Sequence, residues 1–177
     1  MRLAPMAALL MAAAASPAFA HVTLDPPEAP AGSYVRTALR VPHGCAGAAT
    51  ERVTLRLPED VFSALPMPKP GWRLTITRRA LDEPVRNGHG GERAEVVSEI
   101  SWEGGPLPDD QYDEFVLLLQ APAVAGRRVF LPVTQTCAGG ATAPWTEVPD
   151  AAHPAADLRR PAPSFLLTPA RTHGGMH

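Results

Sequence analysis

The residue with the clearest capacity for metal chemistry is His21, because it directly follows a segment typical of a secretory leader. Residues 1–20 contain Arg2, a short apolar run and the ending Ala18-Phe19-Ala20, which fits the small-x-small rule for cleavage. The apolar run is too short to span a bilayer. We therefore expect residues 1–20 to be a signal peptide, removed after Ala20, so that the mature chain begins at His21 in the periplasm. An uncleaved anchor is the alternative.

A histidine at the start of a chain offers a metal ion two nitrogen atoms, its free α-amine and its imidazole. Both can bind one ion and close a chelate ring. Nitrogen ligands in a tetragonal arrangement suit Cu(II), which is the most strongly bound divalent ion of its row. Protons compete for both nitrogens, so we expect affinity to fall at low pH. The pattern predicts a copper ligand at His21; the alternative is a histidine that stands there by chance.

A second group of possible ligands lies at the end of the chain. His173, Met176 and His177 offer two imidazoles and a thioether, a set that suits Cu(I) or Cu(II). They form a possible secondary metal site, and the alternative is a chance grouping in a tail rich in proline. For His89 and His153 we predict only exposed positions in loops.

The chain has two cysteines, Cys45 and Cys137. In an oxidising compartment an isolated pair most commonly forms a disulfide. Such a bond would hold the loop that contains His43 near Trp145. Thiolate ligation of a metal ion is the competing interpretation.

The elements that must position these residues have the pattern of strands. Seven short segments show alternating or continuous apolar residues, and turn residues separate them. They are residues 34–41, 52–57, 72–77, 95–102, 113–120, 128–136 and 145–148. The 21 prolines of the chain disfavour helices and central strands. We predict an all-β protein, an antiparallel β-sandwich, with a small β-barrel as the alternative.

Composition limits the class of partner. The chain has 16 basic and 18 acidic residues, so there is no basic surplus to neutralise nucleic-acid phosphates. At 45% hydrophobic residues it can bury a core. After residue 20 no stretch is long and apolar enough to span a membrane. We predict one domain over residues 21–149 and a flexible, proline-rich tail over residues 150–177.

Three motifs are specific enough to suggest a relationship. They are His-Val-Thr at 21–23, Pro-Gly-Trp at 70–72 and Trp-Thr-Glu-Val-Pro at 145–149. With these motifs the chain resembles the YcnI-like family of exported copper-binding proteins, from residue 21 to about residue 149. The resemblance implies an immunoglobulin/fibronectin-like sandwich with Cu(II) on the amine and imidazole of His21, a single-histidine brace. It also implies a carboxylate that completes the site and a tryptophan beside it.

The carboxylate of this family has no clear counterpart here. Its place falls in the loop after residues 41–42, where this chain has His43-Gly44-Cys45, and the nearest later acid is Glu51. His43 is the natural substitute, because imidazole is a good Cu(II) ligand. The alternative is a loop histidine that hydrogen-bonds backbone near the disulfide, so the identity of the third ligand stays open.

The tryptophan of the family corresponds to Trp145. A neutral indole donates its N–H but does not coordinate metal. Beside copper it is expected to limit water and tune the redox state. The alternative is a core tryptophan, which is the role predicted for Trp72 and Trp102.

The resemblance implies a copper-binding protein of storage, delivery or tolerance, not an enzyme, whose partners are the copper ion and a copper-transport or chaperone protein. A copper-dependent polysaccharide monooxygenase also begins with a histidine and is one alternative. Aromatic residues make up only 6% of this chain, which disfavours a flat aromatic glycan-binding face. A structural sandwich module without metal is the other alternative.

Overall fold

The computed structural model describes residues 21–86 and 91–170, and these contain twelve β-strands and no helix long and apolar enough to cross a membrane. The strands are β1 Thr23–Asp25, β2 Glu28–Pro30, β3 Tyr34–Val41, β4 Thr50–Arg56, β5 Ala64–Pro66, β6 Trp72–Arg86, β7 Glu92–Leu107, β8 Asp113–Gln120, β9 Arg128–Phe130, β10 Val133–Cys137, β11 Thr142–Trp145 and β12 Ser164–Thr168. The expected signal peptide 1–20 lies outside the described residues.

Two antiparallel sheets form the body of the domain. The first has the strand order β1-β3-β8-β5 and the second has the order β11-β10-β4-β7-β6. A small third sheet has the order β2-β12-β9, with β12 parallel to β2 and antiparallel to β9. Each sheet has open edges, so the arrangement is the predicted sandwich and not a closed barrel.

The core lies between the two larger sheets. On β8, Phe115, Leu117 and Leu119 are fully buried, since every second residue of a strand faces the same side. The ring of Phe115 lies 4.9 Å from that of Trp72 on β6 and 5.5 Å from that of Trp102 on β7. These aromatic contacts join the sheets. Trp102 is fully buried in the core, as predicted, and Trp72 is half-buried and packs against it.

Two of the predicted segments do not form the single strand that was expected. Residues 128–136 form two strands, because Pro132 has no N–H group with which to continue the ladder. Residues 145–148 are not a strand: β11 runs from Thr142 to Trp145 and pairs with β10 in the register Val133↔Trp145. Trp145 therefore ends its strand and does not begin one.

The structure also moves the end of the domain. The fold continues past residue 149, the predicted boundary, to β12, which pairs with both β2 and β9. Phe165 and Leu167 of this strand are each 1% exposed and belong to the main hydrophobic core. Prolines on both sides of β12 make its short apolar alternation difficult to recognise in the sequence. The five residues between them nevertheless pair as a strand.

Candidate functional site

His21 is exposed and lies two residues before Thr23, the first residue of β1. Its neighbour Val22 is 2% exposed, which anchors this end of the chain in the core. Strand β1 pairs with β3 in the register Thr23↔Arg40. Extending that register by two residues brings His21 to the level of Pro42, the residue before His43.

Arg40, on β3, makes an ion pair with each of the two strands beside it, β1 and β8. Its guanidinium donates to a carboxylate oxygen of Asp25 on β1 and to one of Glu114 on β8, each at 2.8 Å. The hydrogen bond with Glu114, followed by the charge of Asp25, raises the pKa of Arg40 above its usual value. All three side chains are substantially solvated, so their main effect is to align the strands rather than to add stability.

The structure brings His21 and Trp145 together. Their ring centroids are 5.7 Å apart and the rings are tilted by 60°. Trp145 is 3% exposed and belongs to the hydrophobic core. The core position of Trp145 is therefore present and its ring also contacts that of His21, while its role beside copper stays a prediction.

His43 lies, half-buried, in the loop between β3 and β4. Its Nδ1 is 2.6 Å from the carbonyl oxygen of Gly44. Because a carbonyl only accepts, Nδ1 is the donor in this contact, and in the neutral ring Nε2 then keeps its lone pair. Histidines that ligate metals are typically held by such a bond from the other ring nitrogen. The backbone bond expected under the alternative to ligation is thus present, and ligation by His43 stays a prediction.

A disulfide joins Cys45 to Cys137, as predicted, with the two Cα atoms 6.0 Å apart. It connects the loop of His43 to the end of β10. Both sulfur atoms are used in this bond, so the structure contains no free thiolate for a metal ion.

Gln135 is a buried residue of this region that the sequence analysis missed. Its side chain is fully buried, and its amide nitrogen donates to the carbonyl oxygen of His43 at 2.6 Å and to the hydroxyl of Thr50 at 2.5 Å. Its amide oxygen accepts from the indole N–H of Trp145 at 3.3 Å. One amide therefore connects the loop of His43 with the ring that contacts His21.

The carboxylate of Asp109, from the loop between β7 and β8, also reaches the loop of His43. It lies so close to Gly44 that a β-carbon on this glycine would be 2.8 Å from the carboxylate oxygen and 2.0 Å from the carbonyl oxygen of Ala48. Only glycine fits this position. Glu51, the nearest acid in the sequence, is exposed on β4.

Not all of the expected ligands are assembled. Within residues 21–86 and 91–170, no three side chains of histidine, cysteine, aspartate or glutamate form a group that could hold a metal ion. His21 and His43 are connected only through Trp145 and Gln135 in the contacts described above. His173, Met176 and His177 lie outside the described residues, as does His89. His153 is exposed and bonded to Asp150, in agreement with its predicted place in a loop.

The fold and this geometry define a class of protein: an immunoglobulin-like sandwich with an exposed histidine packed on a buried tryptophan, next to a loop fixed by a disulfide. The chain belongs to the family described as domain of unknown function DUF1775, whose model matches residues 21–167. Both the family relationship and the immunoglobulin-like fold expected from the sequence motifs are confirmed by the comparisons.

Two relatives illustrate the relationship. The chain is 28% identical over 141 residues to the copper-binding protein CutI of Bacillus subtilis (strain 168). The match covers 78% of this chain and 61% of CutI, so the chain spans about three fifths of the length of that relative. It is also similar to the crystal structure of an uncharacterized protein from Nocardia farcinica with an immunoglobulin-like fold. That match has a TM-score of 0.64 and 30% identity, and it covers 84% of this chain and 98% of the other.

Proposed function

We propose that this protein is an exported copper-binding protein that holds Cu(II) at His21 and acts in copper storage, delivery or tolerance in the periplasm. The observation that carries this proposal is the exposed imidazole of His21 packed against the buried ring of Trp145. The copper-binding name of the relative CutI supports the choice of metal. In this proposal copper is cargo, and the protein's work is to bind and release it.

The ligands follow from the chemistry of the residues. Removal of residues 1–20 gives His21 a free α-amine, so its amine and imidazole together bind one Cu(II) ion. The free Nε2 of His43 is the third ligand. Its Nδ1–H bond to Gly44 sets the required tautomer, and the carboxylate of Asp109 beside the same loop adds negative charge that favours a cation.

The test of this proposal changes only the position of the amine. One glycine placed before His21 keeps the imidazole but turns its own amine into an amide. We expect Cu(II) affinity to fall roughly 100-fold or more, the range in which a second, intramolecular contact strengthens binding. The visible and EPR spectra should change, while some binding remains through the displaced amine. Titration against a competing chelator measures this affinity.

Histidine variants complete the experiment. H21A should weaken binding at least as much as the added glycine, and H43A should weaken it less. H153A is the matched control, since His153 is an exposed histidine held by Asp150 in a different loop. Unchanged affinity and spectrum in the glycine-extended protein would overturn the proposal and direct attention to His173, Met176 and His177, whose deletion should then abolish binding.

The same samples separate the alternatives. A polysaccharide monooxygenase would oxidise chitin or cellulose when the copper-loaded protein is given peroxide, and we expect no such products. A structural module without metal would fail to compete with the chelator for Cu(II). Amino-terminal sequencing of the exported protein should begin at His21, which tests both the cleavage site and the proposed location.

A further inference from the structure

Gln135 occupies a position where a polar side chain is costly unless all its groups are paired. It lies on β10 at an inward-facing position, with Val133 and Cys137 buried on the same face. An amide offers two N–H donors and one carbonyl acceptor. Both donors and the acceptor are used, so the hydrogen bonds fix the orientation of the amide plane.

The partners of this amide belong to two sides of the proposed copper site. The indole N–H of Trp145 donates to the amide oxygen, and the centroid of that indole ring lies 5.7 Å from the centroid of the His21 ring. The carbonyl of His43 is held by the amide nitrogen, so the backbone that presents the second imidazole is fixed to the same group. Rotation or loss of the amide therefore releases both the indole of Trp145 and the backbone of His43.

We propose that Gln135 is the positioning residue of the copper site and sets the placement of Trp145 and of the His43 loop relative to His21. The inference rests on the proposed function. Gln135 does not touch the metal; it acts through the two residues that it holds. The supporting hydrogen-bond partners of metal sites typically change affinity by about 10- to 100-fold when they are lost.

The test replaces Gln135 by methionine, which has a similar length and no strong hydrogen-bonding group. In the metal-free protein labelled with ¹⁵N, the indole signal of Trp145 should shift and its N–H should exchange faster with solvent. The W145F variant identifies that signal. With Cu(II) added, Q135M should show a changed EPR spectrum and about 10-fold or greater loss of affinity.

Two controls separate positioning from simple loss of stability. Thr37 is buried on β3, and its hydroxyl has no partner within the described part of the chain, so T37V removes a buried polar group outside the site. Val129 is buried on β9, and V129A destabilises the core through a cavity. Both variants should keep the copper spectrum and affinity of the parent protein.

The outcomes distinguish this inference from the function on which it rests. If the parent protein does not bind Cu(II), the proposed function fails and the inference fails with it. If the parent binds and Q135M has the same spectrum and affinity, only the role of Gln135 is overturned. If V129A changes the spectrum as Q135M does, the effect is one of stability and the role is also overturned.

A second variant covers the case in which Q135M does not fold. Q135E has the shape of the original side chain but lacks the N–H₂ group, so it loses at least one of the donations to His43 and Thr50. An altered Cu(II) spectrum in Q135E supports the positioning role. A spectrum identical to that of the parent overturns it.

Discussion

At the scale of single residues, the indole of Trp145 connects the interior of the domain to its surface. Its N–H reaches inward to Gln135 and its ring meets His21, which is exposed. A change at this position therefore affects both stability and the environment of the candidate ligand, and these two effects can be measured separately.

Replacing Trp145 by phenylalanine keeps an aromatic ring for His21 and removes the N–H. The buried oxygen of Gln135 then lacks its donor, which costs about 1–3 kcal/mol of unfolding free energy. We expect Cu(II) affinity to change by less than about 10-fold and the Cu(II)/Cu(I) potential to shift, because shielding of the metal from water changes. Voltammetry, chelator competition and urea unfolding measure the three quantities. W72F is the control, since Trp72 packs against the core from β6, at the opposite edge of the sheet from β11. A shift of the Cu(II)/Cu(I) potential in W72F equal to that in W145F would contradict the prediction.

Gly44 gives a second prediction at this scale. In G44A the new methyl group would lie 2.0 Å from the carbonyl oxygen of Ala48, a backbone atom that moves only with the whole loop. We expect G44A to lower the unfolding free energy by roughly 1–3 kcal/mol, the usual effect of overpacking. G47A is a useful comparison, because the added β-carbon would meet nothing within 4 Å. Any loss of unfolding free energy in G47A comes only from the positive φ of 92° at this residue. If urea denaturation shows G44A no less stable than the parent, the described loop geometry is wrong.

Sequence reasoning finds some of the candidate site and not the rest. The leader motif points to His21 and the family motif points to Trp145, because both lie in recognisable local patterns. Gln135 had a weaker signal, a polar residue at an inward-facing position of an alternating strand. Asp109 had none, because its approach to Gly44 depends on how two distant loops pack.

At the scale of elements, prediction succeeds where the side chains must be buried. The bounds of β3 and β8 agree with the sequence, since both strands form the middle of a sheet and contain long apolar runs. Strands β6 and β7 extend well beyond the predicted segments 72–77 and 95–102, because their outer parts pair through backbone and expose most side chains. The three-residue strands β1, β2 and β5 are too short to show a period.

A row of charges crosses three neighbouring strands. Glu103 on β7 accepts from Arg52 on β4 at 2.6 Å and from Arg73 on β6 at 2.5 Å. These bonds, with that of Arg52 first, hold the pKa of Glu103 below its usual value of 4.5. A carboxyl group whose pKa falls on folding stabilises the protein above its unfolded pKa, and this contribution is lost as the pH falls through the folded pKa.

The expected result is a pH-dependent effect of E103Q. Near neutral pH the thermal midpoint of E103Q should lie below that of the parent, and the difference should shrink as the pH falls from the usual pKa of 4.5 to below the depressed value. The effect should be small because the pair is solvated, and added salt should reduce it. Calorimetry over this pH range measures it, with the exposed Glu51→Gln on β4 as the control. A difference that persists at the lowest pH would refute the assignment.

At the scale of the whole molecule, the disulfide closes a long loop. Cys45 and Cys137 are 92 residues apart in sequence, and loop entropy assigns a bond of this span about 4–5 kcal/mol of stability. The double variant C45S/C137S should lose roughly 3–5 kcal/mol of unfolding free energy after allowance for strain. Denaturant unfolding measures the loss, and adding reductant should destabilise only the parent. Two reactive thiols in the unfolded, unreduced parent would show that the bond is absent.

Truncation tests where the domain ends. A mature chain that stops at residue 170 keeps β12 and should fold and bind Cu(II) like the full chain, although it lacks His173, Met176 and His177. A chain that stops at residue 149 loses the buried Phe165 and Leu167 and should not fold. Loss of one such buried side chain lowers the free energy of unfolding by about 2–5 kcal/mol. Circular dichroism and proteolysis distinguish the two. A stable, protease-resistant chain 21–149 would restore the boundary predicted from the sequence.

The pairing of β2 with β12 determines when the growing polypeptide can complete its fold during synthesis. The amino end leaves the ribosome first, so residues 28–30 emerge before residues 164–168, their partner strand among the described residues, have been synthesised. His21 is equally early, and Trp145, against which it packs, is late. Contacts of such long sequence separation form slowly and only when the whole domain is available. An incomplete chain therefore lacks the ring against which His21 packs, and the assembled site belongs only to the finished molecule.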